Sequence, residues 1–120
     1  MKVTVYEVGP RDGLQNLKHF IPTEIKKSLI DELYKAGLTN IEETSFAHPK
    51  YVPQMADAEK LISRLPKTTK TQFSCLVLSP KGLDRALATG IKDIDFSISS
   101  SESYSMKNTR MSIKDALNEL

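Results

Sequence analysis

Short runs with a two-residue hydrophobic period trade places along this chain with longer runs of helical spacing. Val3-Thr4-Val5-Tyr6 is β-branched and aromatic, so Lys2–Glu7 reads as a strand. Thr23–Ala36 reads as a helix whose apolar residues are Ile25, Leu29, Ile30, Leu33 and Tyr34. Its water face is assigned to Lys26, Lys27, Asp31 and Lys35, its N-cap to Thr23 and its C′ position to Gly37. Asn40–Thr44 is a second short strand. The stretch from Ser45 to Gln54, with Pro49 and Pro53, is a loop. Met55–Leu65 is a second helix built on Ala58, Leu61, Ile62 and Leu65, and Pro66 ends it. Thr71–Leu78 is a third strand. Ser79-Pro80 opens a third helix through Leu83, Ala86 and Leu87, stopped by Gly90. Asp93–Ile98 is a fourth strand with Ile94, Phe96 and Ile98 on one face. A Ser-rich stretch from Ser99 to Ser105 follows, and Ser112 caps a fourth helix on Ile113, Ala116 and Leu117.

Strand followed by helix, four times over, with about 30 residues per unit, predicts an α/β fold with a parallel sheet. No Pro/Gly/Ser-rich linker divides the chain, so 1–120 is expected to be one domain. The sequence stops at Leu120 inside the fourth helix. A compact open α/β domain is one reading of this. The N-terminal half of something larger is the other, and the abrupt stop with two open strand edges favours it.

Composition narrows the picture. The chain has 120 residues, 39% of them hydrophobic, and a net charge of +2, which is ordinary for a folded water-facing domain. Its lysines are spread rather than clustered, so no nucleic-acid partner is expected. The single Cys75 excludes an intrachain disulfide and fits a reducing compartment. No apolar run approaches a membrane span, and Met1-Lys2 leads straight into the first strand without a signal-peptide core. A cytoplasmic protein with no membrane partner is the expectation.

The chemistry concentrates in Glu7-Val8-Gly9-Pro10-Arg11-Asp12-Gly13-Leu14-Gln15-Asn16, just past the carboxyl end of the first predicted strand. Parallel α/β folds place their sites at that end. A carboxylate such as Asp12 is a hard ligand for Mg²⁺ or Mn²⁺, and a guanidinium such as Arg11 can stabilise a developing oxyanion. The plainer reading makes Asp12 a turn residue and Arg11 the partner of a surface acid. Gln15 adds polar reach to the same loop. Glu42 and Glu43 lie on the second strand, where strict alternation sends them to opposite faces. One of them then points inward and needs a partner, which Arg11 can supply; in the alternative, both are solvated at the strand's end. His19 and His48 fall in loops with no ligand-spaced neighbour, Lys50 could meet a phosphate, and Cys75 reads as a small buried hydrophobe.

Taken with Ile41-Glu42-Glu43-Thr44-Ser45-Phe46 and Pro49-Lys50-Tyr51-Val52-Pro53-Gln54-Met55-Ala56-Asp57, that loop resembles the hydroxymethylglutaryl-CoA lyase family, within the Asp-Arg-Glu metal-dependent TIM-barrel lyases. The resemblance covers the whole chain. It implies that these residues form the first four (βα) units of a (β/α)₈ barrel, which takes roughly 250 residues in all. It also implies a carbon–carbon cleavage giving acetyl-CoA and acetoacetate. By this resemblance Asp12 ligates a divalent metal, Mg²⁺ or Mn²⁺, Arg11 stabilises the enolate, Glu42 positions Arg11, and Gln15 contributes to the substrate pocket. The family's metal-binding histidines and Asn and its catalytic Cys come from later strands, and neither His19, His48 nor Cys75 matches them. The expectations that follow are an acyl-CoA substrate, a homo-oligomer, and no activity for these 120 residues alone. Two alternatives stand beside this one. The first is a related homocitrate- or isopropylmalate-type synthase. The second is a non-catalytic half-barrel that pairs with a second copy to cover its edges.

Overall fold

A computed structural model describes residues 1–119. Its framework is a parallel sheet in the order β1 (Asn40–Ser45), β2 (Gln72–Val77), β3 (Asp93–Phe96). Against it lie α1 (Thr23–Lys35), α2 (Ala58–Ile62), α3 (Pro80–Ala88), α4 (Glu102–Asn108) and α5 (Ile113–Asn118). The core sits between the sheet and the helices, where Phe46, Ala58, Cys75, Val77 and Ala86 form one buried cluster. Ile62, Ile91, Ile94 and Phe96 close over that cluster. Each large apolar side chain enclosed in this way contributes about 1.5–3 kcal/mol.

The strand expected at Lys2–Glu7 is reduced to one parallel bridge, Glu7 to Ile41. Glu7 donates its N–H to the Asn40 carbonyl at 3.0 Å and accepts from the Glu42 N–H at 2.9 Å. Val3, Val5 and Tyr6 are exposed, so no layer of side chains holds residues 2–6 to the sheet as it holds β1. The fourth predicted strand ends at Phe96, two residues early, because Ser97 and Ile98 pair with no neighbouring strand.

The helices differ from expectation in instructive ways. In α1 the N-cap position belongs to Pro22, and the Thr23 hydroxyl instead donates to Asp57 Oδ2 at 2.7 Å. Ile25 and Leu29, expected inside, are exposed. Lys26, expected in water, is 1% exposed, because its ammonium finds a carboxylate, a carbonyl and an aromatic face. The helix expected over Met55–Leu65 is split into a 3₁₀ turn (Pro53–Met55) and the single-turn α2, since Asp57 is committed to Thr23 and Lys26. The Ser-rich stretch conceals α4. Its N-cap is Ser101, whose hydroxyl accepts from the Tyr104 N–H. Ser79 and Ser112 cap α3 and α5 as read, and Gly37 and Gly90 close α1 and α3 with φ of +87° and +78°.

Gly82 in α3 is forced by packing. A Cβ there would sit 2.7 Å from the Phe46 carbonyl oxygen, which is backbone at the end of β1 and cannot swing away. Alanine normally gains about 1 kcal/mol over glycine within a helix. At this site the clash outweighs that gain, so Gly82→Ala is expected to destabilise the chain by about 1–2 kcal/mol in urea denaturation. A more stable variant would show that α3 can shift away from β1.

Candidate functional site

Directly after the Glu7 bridge the chain makes one π-helical turn, Gly9–Gly13. The buried Pro10 fixes the backbone at its start, and the Val8 carbonyl accepts from Arg11 N–H at 3.1 Å and Asp12 N–H at 2.7 Å. The Glu7 carboxylate takes the Gly9 N–H at 2.6 Å. This compact turn aims Arg11 back across β1. Its Nε donates to Glu42 Oε2 at 2.8 Å, its Nη2 lies 2.7 Å from the same oxygen as an ion pair, and Nη1 donates to Asp12 Oδ1 at 3.0 Å. One guanidinium is thereby held between two carboxylates, the deep one 6% exposed and the outer one 56% exposed. Arg11, Asp12 and Glu42 thus form one cluster, as the sequence reading expected. Gln15 lies on the same loop with its Oε1 buried and unpartnered.

Glu42 and Glu43 do not alternate as expected. The register of β1 against β2 runs from Glu42–Ser74 directly to Thr44–Cys75, leaving Glu43 as the extra residue of a bulge. Glu42 therefore reaches Arg11 on one side while Thr44, two residues on, touches Met55 Sδ on the other at 3.6 Å. Both glutamates are buried. Burial raises the Glu42 pKa above the ordinary carboxylate value, and the Arg11 bond only partly offsets it. Glu43 is fully enclosed with neither oxygen partnered, and burial pushes its pKa up to about 9. Cys75 is pushed up to about 12 by burial and neighbouring carboxylates, which makes it an inert core thiol at neutral pH.

Asp12 suits a hard divalent cation as one ligand, because its Oδ2 makes no hydrogen bond among the described residues and the side chain is open. The described residues hold no group of three His, Cys, Asp or Glu side chains able to bind a metal ion. His48 packs on Tyr51, with ring centroids 5.4 Å apart, and accepts the Lys50 N–H on Nδ1. His19 and Lys50 are exposed. None of the three joins the Arg11 cluster.

The sequence reading missed a second polar cluster beneath this one, made by Lys26, Asp57, Gln54 and Thr23. One signal was available: Lys26 lies four residues before Ile30, and so shares the face that Ile30 buries.

The fold and the cluster define a chain of the α/β class that builds its site beside the ends of parallel strands. Residues 2–120 match a family profile described as HMGL-like, and the chain belongs to that family. It is 43% identical over 115 residues to the mitochondrial hydroxymethylglutaryl-CoA lyase of Rattus norvegicus, covering 96% of this chain and 35% of that protein. With the Arabidopsis thaliana enzyme it shares 40% identity over 115 residues, 96% of this chain and 25% of the relative. Among solved structures, hydroxymethylglutaryl-CoA lyase from Pseudomonas aeruginosa superposes with a TM-score of 0.92 at 41% identity, covering 98% of this chain and 39% of the other. An HMG-CoA lyase from Acinetobacter baumannii, in complex with coenzyme A and 3-methylmalate, gives 0.92 at 30% identity over 97% of this chain and 38% of the other. The chain thus spans between a quarter and about a third of the length of these curated relatives, and its α/β architecture is that of the N-terminal part of the lyase barrel.

Glu43 generates a pH prediction. Its free value is 4.5 and its folded value about 9, so between those limits only the unfolded chain has lost the proton. The contribution of Glu43 to stability is full below 4.5 and declines through about 9, by up to about 1.4 kcal/mol per pH unit. Glu43→Gln is expected to remove that decline in urea titrations between pH 5 and 9. An unchanged slope in the variant would show that Glu43 is already ionised in the fold.

Proposed function

We propose that this chain supplies the Arg-Asp-Glu part of a hydroxymethylglutaryl-CoA lyase site within a longer protein, which cleaves 3-hydroxy-3-methylglutaryl-CoA to acetyl-CoA and acetoacetate. The observation that carries the proposal is the Arg11 guanidinium held between Glu42 and Asp12, in a chain that matches lyases along nearly its whole length. An acyl-CoA substrate is supported by the relative whose structure holds coenzyme A.

The cleavage removes a proton from the tertiary hydroxyl, turns that C–O into a carbonyl, and breaks the bond to the carbon next to the thioester. The bonding electrons pass to that carbon and spread onto the thioester oxygen as an enolate, which is protonated on carbon to give acetyl-CoA. Negative charge thus develops on an oxygen that was neutral in the substrate, and Arg11 is the group to meet it. Its role is electrostatic, and the more effective for being fixed in advance by Glu42. Asp12 keeps one oxygen free beside Arg11 and would hold a divalent cation, Mg²⁺ or Mn²⁺, as one ligand of several. That cation would supply Lewis-acid polarisation of the hydroxyl. Gln15, on the same loop, is the further candidate for the substrate pocket. Cys75 moves no proton in this scheme, since it is buried in the core with its thiol pushed up to about 12.

Two outcomes test the reading. The 120-residue chain alone is expected to show no cleavage with Mg²⁺ or Mn²⁺ in an acetoacetate assay. In the whole protein Arg11→Gln is expected to lower kcat by about 10²–10³-fold, with a much smaller change in KM. A whole protein that forms no acetoacetate, or an Arg11→Gln variant with wild-type kcat, would overturn it.

A further inference from the structure

The polar cluster under the site has no part in the chemistry above, and its geometry is specific. Lys26 is 1% exposed, and a lysine is almost never enclosed so fully unless it is paired. Its ammonium donates to Asp57 Oδ1 and to the Gln54 carbonyl, each at 2.5 Å, and lies 4.6 Å from the centre of the Phe20 ring. All three directions of the charge are answered. The other oxygen of Asp57 takes the Thr23 hydroxyl at 2.7 Å, and Gln54 Nε2 donates to the Leu17 carbonyl at 2.6 Å.

These bonds join three stretches of chain. Leu17–Phe20 is the tail of the loop that carries Arg11, Asp12 and Gln15. Gln54–Asp57 is the tail of the segment that begins with Glu42 on β1. Thr23 and Lys26 stand on α1 between them. The loop and the segment therefore touch twice, once where Arg11 meets Glu42 and once at Lys26. A buried ion pair is weak evidence for stability, because apolar residues of equal volume often fold as well. Its directional bonds, by contrast, fix where the segments sit.

We propose that Lys26 is a positioning residue for the lyase site: through Asp57, Gln54 and Phe20 it pins the far end of the Gly9–Phe20 loop and so sets the placement of Arg11 and Asp12. This rests on the lyase reading for its catalytic consequence but not for the loop restraint itself.

The test uses the whole protein with Lys26→Met, which keeps the stem and removes the charge, and with Gln54→Met, which removes the bond to Leu17 and leaves the ion pair intact. Amide hydrogen exchange over residues 9–20 is expected to speed up at least 10-fold in Lys26→Met and several-fold in Gln54→Met, with exchange in β2 unchanged. Where the wild-type protein is a lyase, kcat is expected to fall at least 10-fold in Lys26→Met at a temperature where both proteins are fully folded. Gln54→Met carries the test if Lys26→Met does not fold. Wild-type exchange over residues 9–20 in the variants, or faster exchange with unchanged kcat, would overturn the proposal. A wild-type protein without lyase activity would overturn the functional reading, and the exchange measurement would still decide whether Lys26 restrains the loop.

Discussion

The buried Glu42 carboxylate on β1 is answered by the Arg11 guanidinium, and the site takes its form from that pairing. Glu42 is 6% exposed in its side chain and cannot turn to water. Arg11 meets it with a hydrogen bond from Nε and a close ion pair from Nη2, and to do so the chain after Glu7 has to coil tightly enough to bring a guanidinium back over the strand it has just bridged. The π-helical turn, the buried Pro10 and the Val8 carbonyl that accepts two N–H groups all follow from that demand. Asp12 is carried along as the next residue and emerges at the surface with an oxygen free. Placement of the exposed, metal-suited carboxylate therefore depends on the buried one.

The same logic recurs one layer down. Lys26 and Asp57 enclose opposite charges between α1 and the segment after β1, with the ammonium hydrogen-bonded to Asp57 and the Gln54 carbonyl and set over the Phe20 ring. Glu43 is the counter-example. It is as buried as Glu42, has no cation, and meets the cost by keeping its proton. Of two adjacent glutamates on one strand, one has the Arg11 bond to offset part of its burial, and the other, without a cation, is pushed up to about 9.

Much of this was legible in the chain. The Arg-Asp dipeptide after a β-branched run, and a glutamate pair on the next strand, marked Arg11 as the partner of one of the two glutamates, and the family resemblance singled out Glu42. The cap residues Ser79 and Ser112 and the closing glycines Gly37 and Gly90 mark helix ends by local bonds and by positive φ, so they read directly. What failed was non-local. Hydrophobic periodicity placed Lys26 in water and Ile25 and Leu29 inside, because it counts side-chain character and cannot see an Asp57 or a Gln54 carbonyl arriving from 31 and 28 residues away. The bulge at Glu43 shifts a register that alternation assumes to be strict. The strand at Lys2–Glu7 has the right residues but keeps only one bridge, since pairing depends on neighbours rather than on propensity. In α4 the serines hid a helix whose only local sign was a capping serine ahead of Glu102.

The central claim is that Glu42 acts through Arg11. A double-mutant cycle on kcat/KM in the whole protein, with Arg11→Gln, Glu42→Gln and the pair together, measures it most directly. The account predicts strong non-additivity, with Glu42→Gln costing at least 10-fold alone and almost nothing once Arg11 is gone. Additive losses would mean that the two residues serve the reaction independently, and would contradict the account.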